Sequence, residues 1–337
     1  MHNTEISALL AAITAERPQS KQRRALLERL LEHVVQLAEQ DPDTLDLKIA
    51  ETALSELVEA FEVFAPYRDV MKVTIFGSAR TKVSDPLYNL ARDFGEAIAR
   101  QGWMVVTGAG PGIMAAGMEG AGREHSFGVN IKLPHEQGAN EFIASDVKLV
   151  EMRYFFTRKV ALTKESKAFV AFPGGFGTLD EIFELLTLLQ NGKATPAPVV
   201  LMDTPEGTFW RGLLDFVDNH VARPGYISQF DEGLFSIACT PADAVAAIES
   251  FYVNYHSMRM VGATAVLRMK RAPAEADLAR INERFGHISL DGRIDVIDAT
   301  DQERASNDEL GLRRIALQFD RRSYGELRAL INDINSW

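Results

Sequence analysis

The sequence predicts an α/β protein: a doubly wound, Rossmann-like parallel sheet with an N-terminal helical extension and a small C-terminal α+β unit. Three observations point there. From Met71 onward short apolar runs alternate with amphipathic stretches, glycine-rich turns follow three of those runs, and the segments on either side keep different periods.

Residues 1 to about 66 place Leu26, Leu27, Leu30, Leu31, Val34 and Leu37, then Leu47, Ala50, Leu54, Leu57, Val58 and Phe61, at helical spacing. Asp41-Pro42-Asp43 interrupts the pattern, so a helical hairpin ending near Pro66 is expected, a packing or dimer-supporting appendage. In residues 67–255 strands are expected at 73–76, 103–107, 127–131, 147–150, 168–172 and 198–202, and helices at 87–100, 113–123, 152–165, 179–190 and 208–220. Ligands of such sheets sit beyond the C-terminal strand ends, where all three glycine turns fall. Residues 256–337 read as strands at 263–269, 294–297 and 315–319 and helices at 274–285 and 324–334, with loops at Asp291-Gly292 and 300–307. No catalytic constellation appears there, so this unit is expected to regulate, oligomerise or simply pack.

The most specific signal is Pro173-Gly174-Gly175-Phe176-Gly177-Thr178-Leu179-Asp180-Glu181, which joins an apolar run to a helix expected to open at Thr178. Glycines let the chain turn sharply and approach a ligand closely, and the free N–H groups of a first helical turn favour an anion such as phosphate. Thr178 adds a hydroxyl donor. Along the following helix Asp180, Glu184, Thr187 and Asn191 form a polar stripe expected to face solvent. Glu181 instead shares its side with Leu185 and Leu188, where desolvation raises a carboxyl pKa and marks a functional candidate. Arg158 likewise has Tyr154, Phe155, Ala161 and Leu162 at helical neighbour positions, so its guanidinium needs an anionic partner. Arg153 and Lys159 read as surface cations.

A net charge of −11 argues against DNA or RNA as the main partner, while a small phosphorylated ligand stays compatible because backbone dipoles bind it locally. The single cysteine, Cys239, excludes an internal disulfide and a multi-cysteine metal site, and the seven histidines show no paired-ligand spacing, so no metal or cofactor is expected. His135, in the loop 132–140 (KLPHEQGAN), is the histidine placed nearest a ligand loop. The N-terminus lacks a basic n-region and no apolar stretch is long enough for a bilayer, so a cytoplasmic, membrane-free protein is expected.

Arg158-Lys159 followed by PGGFGTLDE, together with Thr107-Gly108-Ala109-Gly110-Pro111-Gly112-Ile113-Met114 and Phe76-Gly77-Ser78, resembles the LONELY GUY family of cytokinin-activating phosphoribohydrolases, formerly labelled lysine decarboxylases. The resemblance covers roughly residues 71–252. It implies hydrolysis of the N-glycosidic bond of a nucleoside 5′-monophosphate such as AMP, giving free base and ribose 5-phosphate. It also implies Arg158 and Glu181 as catalytic residues, and Gly174, Gly175, Gly177 and Thr178 as the phosphate cradle. Gly77, Ser78, Gly108, Gly110 and Gly112 are implied in the other two turns of the binding site, and a homodimer or higher homo-oligomer is the implied assembly.

Three rival readings compete. Gly110-Pro111-Gly112-Ile113-Met114-Ala115 satisfies a GxGxxA dinucleotide fingerprint, but the next strand ends in Asn130-Ile131-Lys132 rather than in a ribose-binding acid. Pyridoxal-phosphate decarboxylation needs a Schiff-base lysine, for which only Lys159 offers itself. A nucleotide-binding or molybdenum-cofactor carrier that does not cleave its ligand is the strongest alternative, because such carriers share the glycine-turn architecture.

Overall fold

The computed structural model describes residues 3–13, 21–132 and 138–337; His135 and most of its loop lie outside them. Two compact units are present, Met1–Glu56 and Leu57–Trp337. The first contains α1 (Asn3–Ile13), α2 (Lys21–Glu39) and the start of α3 (Thr44–Phe64). The interruption at Asp41-Pro42-Asp43 is a helix break with a purpose: Asp41 adopts φ 48°, and the Asp43 carboxylate accepts from the N–H groups of Leu45 and Asp46 at 2.7 and 2.9 Å, capping α3. Helix α2 has no buried residue, so its Leu26, Leu30 and Val34 stripe is exposed.

The second unit continues with β1 (Lys72–Phe76), α4 (Pro86–Arg100), β2 (Met104–Thr107), α5 (Ile113–Ala121), β3 (Ser126–Ile131), β4 (Leu149–Met152), α6 (Phe155–Glu165), β5 (Ala168–Ala171), α7 (Phe176–Gln190), β6 (Val199–Met202), α8 (Phe209–Val217), β7 (Phe235–Ala238) and α9 (Pro241–Phe251). Seven parallel strands form one sheet in the order β4-β3-β2-β1-β5-β6-β7. Both faces are covered, as a parallel sheet requires. In β1 the period of two sends Val73 and Ile75 to a core with Phe94, Ile98 and Trp103, and Phe76 to the opposite core with Phe127, Phe169 and Trp210. Helices α4 and α5 lie close because Gly95 and Gly120 carry no side chain: a Cβ on Gly120 would run into the Arg92 carbonyl, and one on Gly95 into that of Gly117.

The chain then builds β8 (Tyr255–Val261), β9 (Thr264–Met269), α10 (Glu275–Phe285), β10 (Asp295–Ile297), α11 (Asp301–Ser306), β11 (Arg313–Gln318) and α12 (Tyr324–Ile334). These strands form an antiparallel sheet in the order β10-β11-β9-β8, and α10 and α12 bury Ile281, Phe285, Leu327 and Leu330 with sheet residues Leu267 and Ile315 in a third core. Glu303 of α11 is fully buried between Arg268 and Arg314, accepting at 2.8 Å from Arg268 Nε and at 3.1 Å from Arg314 Nε. Arg268 also reaches Asp308 at 2.6 Å.

The expected α/β architecture is present, with shifts at element ends. The helix expected over 152–165 starts at Phe155, because Leu149–Met152 pair with β3 as a strand. The helix expected from 208 to 220 gives way after Val217 to a π-helical turn, Asp218–Ala222. Strands β7 and β8 and helices α9 and α11 stand where the sequence pattern predicts no element. Two of them carried a visible signal: Thr240-Pro241 caps α9, with Thr240 Oγ1 accepting from Asp243 N–H, and Thr300 and Glu303 form a reciprocal capping box for α11. No described helix is long and apolar enough to cross a membrane.

Candidate active site

Strands β2, β1 and β5 are neighbours in the sheet, so the three glycine turns at their C-terminal ends are adjacent. Chain order reverses here, since β2, β3 and β4 extend to one side of β1 and β5 returns on the other; the crevice at such a reversal is where ligands of this fold bind. Backbone hydrogen bonds tie the turns together. Ser78 N–H donates to the Pro173 carbonyl at 3.3 Å, and Ile113 N–H donates to the Ser78 carbonyl at 3.0 Å.

Several of the glycines exist for that close approach. Gly112 has φ 66° and lies where a Cβ would strike the Ser78 carbonyl, while a Cβ on Gly77 would come to 2.5 Å of the Ile113 side chain. Gly108 and Gly110 make room for Met114, and Gly108 also for the Arg158 guanidinium. The Gly108–Gly112 turn has further support that the sequence reading missed. Asn140 Nδ2 donates to the carbonyls of Ala109 and Gly110, each at 3.0 Å, and Thr107 Oγ1 accepts from Ala109 N–H at 2.9 Å. These hold Ala109 at φ 57°, unusual for a residue with a side chain. Asn140 ends a long loop, and nothing in a single sequence marks it.

The third turn differs. Helix α7 opens at Phe176, two residues before the expected Thr178, and Gly175 stands at its N-cap with no side chain to cap it. Space beside Gly175 and Gly177 is open, so their N–H groups and that of Phe176 are approachable at the positive end of the helix. Thr178 is buried, and its Oγ1 is directed at Gly174, where a Cβ would displace it.

Arg158 on α6 and Glu181 on α7 meet beside this turn. Arg158 Nη2 donates to Glu181 Oε1 at 2.7 Å, and the two side chains are 10% and 12% exposed. The guanidinium also lies 5.0 Å above the centre of the Phe155 ring, and its Nε is buried without a hydrogen-bond partner among the described residues. Burial pushes the Glu181 carboxyl up to about 7; Arg158 opposes the rise, and Asp180 and Glu184 add to it. A carboxyl half protonated near neutral pH, fixed by a guanidinium, can take a proton from water or stabilise an adjacent positive charge.

Lys159 departs from the expected surface cation. It is only 18% exposed, with Nζ 2.7 Å from Asp180 Oδ2 and 2.6 Å from Glu184 Oε2, because the polar stripe of α7 faces α6 as well as solvent at that level. Its charge is thereby committed. Thr187 and Asn191, lower on the same stripe, are exposed as expected. Strand β3 ends at Ile131 with Lys132 following, and Lys132 pairs with Glu151, so among the described residues no acid ends β3 where a dinucleotide ribose would need one. Among the described residues no group of His, Cys, Asp and Glu side chains is placed to hold a metal ion.

Residues 111–248 match the family model described as possible lysine decarboxylase. A probable cytokinin riboside 5′-monophosphate phosphoribohydrolase of Oryza sativa subsp. japonica is 31% identical over 180 residues, covering 52% of this chain and 80% of that protein. The cytokinin riboside 5′-monophosphate phosphoribohydrolase of Mycobacterium marinum is 32% identical over 144 residues, covering 42% and 75%. Among solved structures, the molybdenum cofactor carrier protein of Chlamydomonas reinhardtii is 22% identical over 53% of this chain and 96% of that one, with a TM-score of 0.39, too distant to bear on the ligand.

Proposed function

The chain belongs to the family of cytokinin riboside 5′-monophosphate phosphoribohydrolases, enzymes acting on a nucleotide, and we propose that its own reaction is hydrolysis of the N-glycosidic bond of a nucleoside 5′-monophosphate, AMP included. The observation that carries this reading is the buried Arg158–Glu181 pair standing beside an uncapped, glycine-lined helix start.

In this reading the 5′-phosphate is held by the N–H groups of the Gly174–Thr178 turn and the Thr178 hydroxyl. The phosphate does not react, so its binding energy serves to place C1′ of the ribose against Glu181. As the base departs, C1′ gains oxocarbenium character; the Glu181 carboxylate stabilises that charge and takes the proton of the attacking water. The water oxygen bonds to C1′ and the C1′–N bond breaks with its electron pair going to the base, which takes up a proton from solvent while Glu181 returns to solvent the one it took from the water; the products are ribose 5-phosphate and free base. Arg158 holds the carboxylate in position.

Incubation of the purified protein with AMP, GMP, CMP and UMP, with free base measured by chromatography, tests the reading. Release from at least one of them is expected. Tight binding of a nucleotide that is recovered intact after prolonged incubation would instead establish the carrier.

A further inference from the structure

A second concavity lies at the opposite end of β5 from the glycine turn. Its volume is about 380 Å³, and its walls come from the last turns of α6, the residues entering β5 and the loop after α7. Four lysines line it, Lys159, Lys164, Lys167 and Lys193, against one carboxylate, that of Glu184. In a chain with 47 acidic and 36 basic residues, that local balance is reversed.

Two of these charges are already answered. Lys159 bridges Asp180 and Glu184, and Lys164 pairs with Glu165. Lys167 and Lys193 are exposed, and among the described residues their ammonium groups make no hydrogen bond or ion pair. Lys72 adds to the field from within. It is 1% exposed, and its Nζ donates to the carbonyls of Tyr67 and Val70 at 2.6 and 3.0 Å. Burial lowers its pKa; Lys167 and Lys164 depress it further, and Glu165 and Asp69 oppose them. Like charges gathered without partners repel one another, and an anion between them relieves the repulsion.

We propose that this cavity is a second ligand site, taking a compact, multiply charged phosphorylated anion whose phosphate oxygens are met by Lys167 and Lys193. Ammonium groups on flexible stems suit phosphate as rotatable point charges. Val160 and Leu188, also in the wall, offer an apolar surface to the uncharged part of such a ligand. Helices α6 and α7 carry this cavity towards one end and Arg158 and Glu181 towards the other, so one pair of helices serves both places.

Inorganic pyrophosphate, titrated calorimetrically into the full chain at low ionic strength, is the probe. One site per chain is expected, weakening as salt is raised, and saturating AMP should leave it in place. Replacing both exposed lysines, Lys167→Ala with Lys193→Ala, should weaken binding by roughly tenfold or more, and the corresponding pair of arginine substitutions should retain it. Because both side chains are exposed, an unchanged circular dichroism spectrum is expected to accompany the loss. No binding at millimolar pyrophosphate, or full binding by the double alanine variant, overturns the proposal. So does displacement by AMP combined with loss in Thr178→Ala, which would put the anion in the glycine turn. The readout is binding alone, so a protein that cleaves no nucleotide could still pass or fail it.

Discussion

Replacing Glu181 with Gln is expected to cut base release by about 10²–10⁴-fold, the usual contribution of a general base, while nucleotide binding survives. The amide keeps the shape and can still accept from Arg158 Nη2, but it cannot take a proton from water. The wild-type rate should also depend on pH in a set direction. The carboxyl sits at about 7 and must be ionised to act, so kcat/KM should fall as pH drops through 7 and level off above it. Arg158 pulls that value down against the larger effect of burial, so Arg158→Ala should move the limb to higher pH. A stability readout separates catalysis from misfolding. The raised carboxyl favours the folded state fully below its unfolded value of 4.5, and that contribution is lost as pH rises through about 7, so the wild-type melting temperature should decline over that interval while the Gln variant lacks this decline. Unchanged turnover in the Gln variant would remove Glu181 from the mechanism.

The largest expected loss of stability follows from Glu303→Ala, about 3–5 kcal/mol, because two buried guanidiniums would lose the carboxylate they share. Burial alone would raise the Glu303 carboxyl, but hydrogen bonds from Thr300, Arg268 and Arg314 outweigh it and hold the carboxyl at about 2. A depressed value contributes stability above the unfolded 4.5, and that contribution disappears as pH falls toward 2. Urea midpoints for wild type and variant should therefore be widely separated at pH 7 and converge in acid. A loss below about 1 kcal/mol at pH 7 would mean that the arginines find other partners.

Much of this arrangement was legible in the chain itself. Runs such as Val199 to Met202, apolar on both faces, announce a covered parallel sheet, and Glu181 betrayed its burial by sharing a side with Leu185 and Leu188. The apolar surroundings of Arg158 demanded an anion without saying which; only the packing of α6 on α7 makes it Glu181. What stayed hidden depended on distant pairing. Phe235–Ala238 is a short, half-exposed edge strand with little apolar pattern of its own, and it becomes a strand because β6 offers hydrogen bonds. Lys159 looked like any surface lysine until α7 brought two carboxylates to it. Asn140 supports the second turn from the far end of a loop, a relation that sequence distance conceals.

A helix whose N-cap is Gly175 has no side chain to receive its leading amides, and in the proposed reaction a phosphate ester would finish it. On that reading the contact belongs to the part of the substrate that survives the reaction, so ribose 5-phosphate should keep the same grip as the nucleotide from which it came. Any compound bearing it at a hundredfold excess over its Kd adds about 2.7 kcal/mol to the folded state, so the melting temperature reports occupancy whether or not the base is still attached. Accumulating sugar phosphate should accordingly slow the enzyme by competition, so that continued turnover depends on whatever consumes that sugar phosphate.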